Sequence, residues 1–197
     1  MFQAVFLWFM PLVVIVIAVE DCIEYQKIGY QDILISKAGK KQYILHQLLK
    51  GFWAIFLLVE FALVINLILV HIVFEGGQFS PYSMDGTISE LHNWEMSLPI
   101  VTNLIFATIT AFFSGLITMV GIITTFQTND RRIVYGITLI FWFVPFLRKN
   151  SLMLLFQPYA EYGIETLMPI GVSVGLLYML YILLCYGRKV WFDKTSI

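Results

Sequence analysis

Glu60 is the residue whose setting most needs a chemical reason. It stands in Leu57-Leu58-Val59-Glu60-Phe61, inside an apolar run, and no other ionisable residue lies so deep in one. A carboxylate there costs a few kcal/mol or more unless it faces a partner helix or a wet cavity, or takes up a proton. Asn66 follows on the same run, about two helical turns further. The pair reads either as the polar lining of a substrate path or subunit contact, or as a hydrogen-bond anchor between helices.

A second set of polar groups falls within 98–126: Thr102, Asn103, Thr108, Thr110, Ser114, Gly115, Thr118, Gly121, Thr124 and Thr125. Ser114, Thr118, Gly121 and Thr125 recur at i, i+4, i+7 and i+11, which is one helical face. Small and hydroxyl residues on one face let helices approach closely and hydrogen-bond. Turned toward a path, the same face would be its wall. Glu60, Asn66, Asn103, Thr110, Ser114 and Thr118 are therefore the candidates for a translocation path or subunit contact.

Soluble-type catalysis finds little support. His46, His71 and His92 fall in three separate segments, and HExxH, CxxC, GxSxG and GxxxxGK[ST] are all missing. A metal site would need ligands converging from different elements. No catalytic residue, metal or cofactor is expected for this chain. Cys22 and Cys185 each sit beside an apolar run and read as small apolar residues in a reducing compartment.

The elements that position these groups are set by composition. The 197 residues are 59% hydrophobic and 13% charged, where soluble domains run near ~45–50% and ~25%. Mean hydropathy is +0.83. The expected fold is an all-α integral membrane protein, a single transmembrane domain. Its spans are at about 2–19, 51–74, 98–126, 133–147 and 167–186. The first run lacks a basic leader and a small-x-small cleavage site, so it reads as a retained span. Of the twelve Lys and Arg, ten fall in 20–50, in the turn at Arg131-Arg132 and in the tail, leaving Arg148 and Lys149 on the other side. This places the C-terminus in the cytoplasm and the N-terminus outside a multi-pass chain of the cell membrane. A net charge of -1 argues against nucleic acid as a partner.

Two outer segments follow from that orientation. The loop 75–97 carries Glu75, Asp85, Glu90 and Glu95 and no Lys or Arg, with a short interfacial helix expected at 89–94 and Trp94 as a headgroup anchor. Segment 148–165 is too short to cross and return, and reads as a re-entrant element ending at Pro158. Phe141-Trp142-Phe143 and Phe146 crowd the outer end of the fourth span as belt or packing residues, with a greasy groove as the alternative.

The longest polar stretch is 20–50. Residues 32–49 can be helical, weakened at Gly39 by ~1 kcal/mol relative to alanine. Ile33, Leu34, Ala38, Ile44, Leu45, Leu48 and Leu49 supply an apolar side, and Lys37, Lys40 and Lys41 a basic cluster. Alone, these features also suit a helix on the inner leaflet with lysines at anionic headgroups.

The order of features is more telling. An apolar span ends at Glu20, then come Glu24, Gly29-Tyr30, Ile33-Leu34-Ile35-Ser36, Lys40-Lys41-Gln42-Tyr43, and Lys50 at the next span. This resembles the membrane subunits of ABC-2-type exporters, over nearly the whole chain and as a pattern of degenerate positions. The resemblance implies that Glu24 and Gly29 are the acidic and glycine positions before a coupling helix. It implies that 33–43, with Ile33, Leu34, Ser36, Lys37, Lys40, Lys41 and Tyr43, docks on an ATP-hydrolysing subunit. The chain departs from the family in having five spans where six are expected. Lys27 is the basic group nearest Glu24, where the family carries Arg.

The resemblance further implies a permease subunit without its own nucleotide site. ATP and Mg would belong to a cytoplasmic ABC ATPase, a second permease subunit would complete the pair, and a peptide, lipid-linked or hydrophobic molecule would be exported. A different class also fits the residues: a non-transporting membrane immunity or sensor protein with a ligand-binding outer loop.

Overall fold

The apolar runs show no period-2 alternation, and in the computed structural model they form helices. The structure describes residues 2–73, 90–128, 130–149, 151–159 and 162–191, and among these there is no strand. The helices are α1 (Phe2–Val14), continued by a π turn (Ile15–Val19) into α2 (Glu20–Lys27), α3 (Tyr30–Ala38), α4 (Lys40–Val73), α5 (Glu90–Ser97), α6 (Pro99–Thr125), α7 (Arg131–Leu147), α8 (Leu152–Leu155) and α9 (Ile164–Trp191).

Four of them are long and apolar enough to cross a membrane: Val5–Lys27, Lys40–Val73, Pro99–Thr125 and Ile164–Trp191. Their outward faces carry Leu57, Phe61, Ile68, Leu176, Leu180 and Leu184, a continuous apolar surface that a water-facing protein would bury. The fifth expected span is α7. It has 17 residues, about 25 Å of helix against ~30 Å of hydrocarbon, and it falls short of the other four.

Several boundaries differ from the sequence reading. The first span does not stop at residue 19, because a π turn carries the helix on to Lys27. The stretch 32–49 is not one helix. Gly39, at φ +82°, ends α3 and starts α4, and a backbone in that region cannot continue a right-handed helix. The second span begins at Lys40 rather than 51. Its 34 residues make a rod of about 51 Å, so a good part of it projects past any hydrocarbon layer. Within the helix expected at 89–94, residues 90–94 belong to α5, and 75–89 lie outside the described residues. The described residues of the re-entrant segment include the four-residue α8, tucked against α6, α7 and α9, before α9 itself begins at Ile164.

At the centre stands α6. Of its most apolar stretch 72% is buried, against 17% for α4, and α4, α7, α9, α1 and the π turn all pack on it. Small residues make the close approaches. A methyl placed on Gly51 would run into Ile122 of α6, and one on Gly121 would lie 2.6 Å from Val19 Cγ2 and 3.1 Å from Thr138 Oγ1. The hydroxyls of Thr110, Ser114, Thr118 and Thr124 each donate to the carbonyl four residues back, at 2.7–2.8 Å. They are thus satisfied within the helix and let it be buried on nearly every side.

Two prolines supply cross-links between helices. Pro11 in α1 has no amide to give the Leu7 carbonyl, and Pro145 in α7 has none for Phe141. A carbonyl stranded in apolar surroundings is costly. Both are taken by donors from other helices: Trp142 Nε1 donates to Leu7 O at 3.1 Å, and Tyr178 Oη to Phe141 O at 2.8 Å. Trp142 and Tyr178 are fully buried. The helix defect in α1 thus specifies α7 as its neighbour, and the one in α7 specifies α9.

Removing the donor in Trp142→Phe should cost about 1–3 kcal/mol in SDS-titrated unfolding from mixed micelles. In a Pro11→Ala background, where residue 11 regains its amide, the same change should cost clearly less. Equal costs in both backgrounds would show that the indole serves only as packing. In the same assay Gly121→Ala should destabilise by about 1–3 kcal/mol through overpacking. Gly136→Ala, where an added methyl meets nothing within 4 Å, should be neutral or better; a reversed order would refute the central position of α6.

Candidate functional site

Three places gather polar chemistry. The first is the lysine-bearing end, where α2 turns back through α3 into α4. Gly29 at φ +74° ends α2 and Gly39 at φ +82° ends α3. An added methyl at either would meet nothing within 4 Å, so backbone conformation alone calls for glycine. Between them α3 has no buried residue. Ile33 and Lys37 are exposed, Leu34 is half-buried against the core, and Ser36 Oγ donates to Ile33 O at 2.8 Å. Glu24 lies exposed on α2, and Lys40 and Lys41 open α4.

Tyr43 departs from this set. It is buried, stands edge-on to Phe126 with ring centroids 6.0 Å apart, and accepts from Gln47 Nε2 at 3.3 Å. The expected coupling element 33–43 is therefore two pieces: an exposed α3 carrying Ile33, Ser36 and Lys37, and the first turn of α4, whose Tyr43 faces inward.

The second place is a clasp that sequence reasoning missed. Glu20 follows the π turn, and its amide bonds back to Ile15 O. Its carboxylate accepts from Arg131 Nη2 and Tyr135 Oη of α7, more than a hundred residues away in sequence. The signal was half present, since Glu20 and Arg131 both bound apolar runs on the same expected side. Depth was legible and the pairing was not. π turns often mark functional positions, and here one sets the carboxylate where α2 meets α7. Nearby, Gln127 Nε2 donates to Cys185 O at 2.7 Å, and the Thr124 and Tyr181 hydroxyls are 3.0 Å apart, joining α9 to α6.

The third place is the opposite end of the α4–α6 pair. Glu95, buried on α5, accepts from Tyr159 N at 2.9 Å, and Thr102 Oγ1 donates to Glu95 O at 3.2 Å. Asn103 Nδ2 donates to Pro99 O at 2.8 Å and Tyr159 Oη at 3.1 Å. These bonds hold Tyr159 at φ +63°, a conformation uncommon for a side-chain-bearing residue and sustained only by its surroundings. Burial pushes the Tyr159 phenol above its ordinary pKa; the Asn103 bond opposes this, and the Glu95 charge adds to it. The phenol keeps its proton at neutral pH and can donate to Pro99 O, 3.1 Å away.

Beside this network is a cavity of about 170 Å³, lined by Asn66, Asn103, Leu63, Val64, Phe106 and Pro158 among others. Val64 also lines a shallow groove with Leu57, Phe61 and Glu60. The structure thus brings Asn66 and Asn103 to one cavity between α4 and α6, while Glu60 lines a groove formed by α4 alone. It does not bring Thr110, Ser114 or Thr118 there, because those three are fully buried within the bundle.

The clasp makes a direct prediction. Glu20→Gln and Arg131→Ala, combined in a double-mutant cycle, should show a coupling of about 1 kcal/mol, as fits a partly exposed pair. Strict additivity in mixed-micelle unfolding would mean that the two side chains do not interact.

Comparison with known proteins adds one relationship. No family model matches the chain, and no solved structure does. Over 170 residues the chain is 34% identical to the uncharacterized protein YybM of Bacillus subtilis (strain 168), a match covering 85% of this chain and 68% of that protein. On that extent and identity, the chain belongs to the family of YybM.

Proposed function

We propose that the chain is a membrane-spanning permease subunit of an ATP-driven export system of the ABC-2 type, lying in the cell membrane with the α3 end in the cytoplasm. The observation that carries this reading is the construction of α3. It is a separate helix held between two left-handed glycines, it buries no residue of its own, and it is rooted at both ends in long helices. A helix that fully buries none of its residues, with Leu34 and Ile35 resting only partly on the core, has little reason to stay ordered and exposed unless something docks on it. On this reading the occupant is a cytoplasmic ATPase subunit, contacted by Ile33 and Ser36 and by Lys37 and Lys41 against acidic positions on its rim. A second permease subunit completes the pair, and ATP and Mg belong to the ATPase.

The mechanism follows from the connections. Closure of the ATPase dimer presses on α3, and the push divides between α2 and α4, both of which run into the bundle around α6. Glu20 ties α2 to α7, so the first helix cannot move without loading the Arg131 and Tyr135 contacts. Two arrangements a few kcal/mol apart, each favoured by one nucleotide state, suffice for such a cycle. The cavity at Asn66 and Asn103 and the α4 groove at Glu60 are the parts of the molecule suited to a substrate path.

Mild-detergent extraction of the tagged chain should recover a P-loop ATPase with vanadate-sensitive ATP hydrolysis. Reversing the charge of Lys37, Lys40 and Lys41 to Glu should abolish that association and leave membrane orientation unchanged. Consistent failure to recover an ATPase would defeat the export reading and favour the immunity or sensor class. A triple variant that keeps its ATPase but inverts its orientation would instead assign the lysines to lipid headgroups.

A further inference from the structure

We infer that the groove on α4 beside Glu60 binds a cationic amphiphile, its positive group paired with the Glu60 carboxylate and its apolar body laid along Leu57, Phe61 and Ile65. The inference deepens the export reading by naming a substrate class for that groove.

Three observations converge on it. First, Glu60 is poorly satisfied inside its own chain. Thr108 Oγ1 reaches Glu60 Oε1 at 3.2 Å, but the same hydroxyl lies 2.9 Å from Leu104 O, so one hydrogen is shared between two acceptors. Glu60 Oε2 is enclosed and has no hydrogen-bond partner. A carboxylate in this state at mid-span is costly until something positive reaches it.

Second, the groove is chemically one-sided. Glu60 is the single polar residue among Leu57, Leu58, Phe61, Ala62, Val64 and Ile65, and no Lys, Arg or His lines it. A carboxylate alone among apolar side chains suits a cation and repels an anion.

Third, the groove lies on the exposed side of α4, where Leu57, Phe61 and Ile65 are uncovered, so the apolar part of a ligand can rest beside the carboxylate. Turning the Glu60 carboxylate from Thr108 into the groove is a side-chain rotation, fast compared with any helix movement.

The test uses the full chain in nanodiscs with radiolabelled tetraphenylphosphonium and, in separate samples, radiolabelled tetraphenylborate, which has the same shape and the opposite charge. Saturable tetraphenylphosphonium binding is expected, weakened at least about tenfold by Glu60→Gln and retained by Glu60→Asp, with no saturable binding of tetraphenylborate. Thr108→Val, which removes the hydroxyl bonded to Glu60, should strengthen binding severalfold, and this arm decides the matter should Glu60→Gln fail to fold. Equal binding by wild type and Glu60→Gln, saturable tetraphenylborate binding, unchanged affinity in Thr108→Val, or absence of saturable tetraphenylphosphonium binding would each overturn the inference. The last result would leave Glu60 satisfied by a proton or by a second copy of the chain. None of these readouts involves an ATPase, so failure here is separate from failure of the export reading.

Discussion

Pro11 leaves the Leu7 carbonyl without its helical partner, and Pro145 does the same to Phe141. In water such groups would be solvated and of little consequence. In an apolar bundle each must find a donor, and the donors that answer, Trp142 and Tyr178, come from helices distant in sequence. The two bonds therefore do what apolar packing does poorly when the surroundings are equally apolar: they select neighbours. One defect in α1 calls for α7, and one defect in α7 calls for α9. The order of helices around α6 rests on this pair of directional contacts more than on any single area of burial.

The same constraint explains α6. A central helix packed on several sides has no free surface on which to leave polar groups, yet this one is rich in Thr and Ser. The conflict is resolved locally. Thr110, Ser114, Thr118 and Thr124 each return a hydrogen to the preceding turn and present a methyl or a small face to the neighbour, which is how hydroxyl residues are accommodated within helices, while Thr102 donates across to Glu95 O on α5. Gly51 and Gly121 then set how near α4 and the π turn can come. Close packing at one end coexists with a looser α4–α6 contact at the other, where Asn66 and Asn103 line a cavity.

Much of this architecture was legible in the sequence and some was not, for physical reasons. Long apolar runs impose helices whatever their partners, so four spanning helices could be read from composition, and Ser114, Thr118 and Gly121 already showed a packing face. Helix ends were harder to place, because apolar content marks where lipid could lie and not where hydrogen bonding stops. Thus α4 begins at Lys40, eleven residues before the apolar run at 51, and the first helix continues past Glu20. Gly39 reads in the sequence as a weak point of one helix, whereas its positive-φ backbone makes it the boundary of two. Within the candidate site, Glu60, Asn66 and Asn103 stand out in the sequence as polar residues in apolar runs, but the cavity that joins Asn66 to Asn103 and leaves Glu60 in a separate groove does not. The Glu20–Arg131–Tyr135 clasp and the Glu95–Tyr159 contact were not, since each joins segments whose pairing only the tertiary arrangement decides.

The two ends of the molecule differ in a way that bears on how it would work. At the lysine-bearing end, α3 is mechanically separate but its anchors are not. α2 is tied by a charged clasp to α7, and α4 is wedged against α6 through Gly51. At the opposite end the α4–α6 contact opens into the cavity, and the local structure is held by hydrogen bonds around a strained Tyr159 rather than by close packing. A displacement entering at α3 therefore meets stiff contacts first and yielding ones last. Because α4 is one unbroken rod of 34 residues, tilting its Lys40 end about the close contact at Gly51 must move its far half, and with it Glu60 and Asn66, relative to Asn103. On the proposed reading, the helix that receives the push is also a wall of the site that would change shape. Glu60, with one oxygen sharing a hydrogen and the other without a partner, is the group whose energy such a movement would alter most.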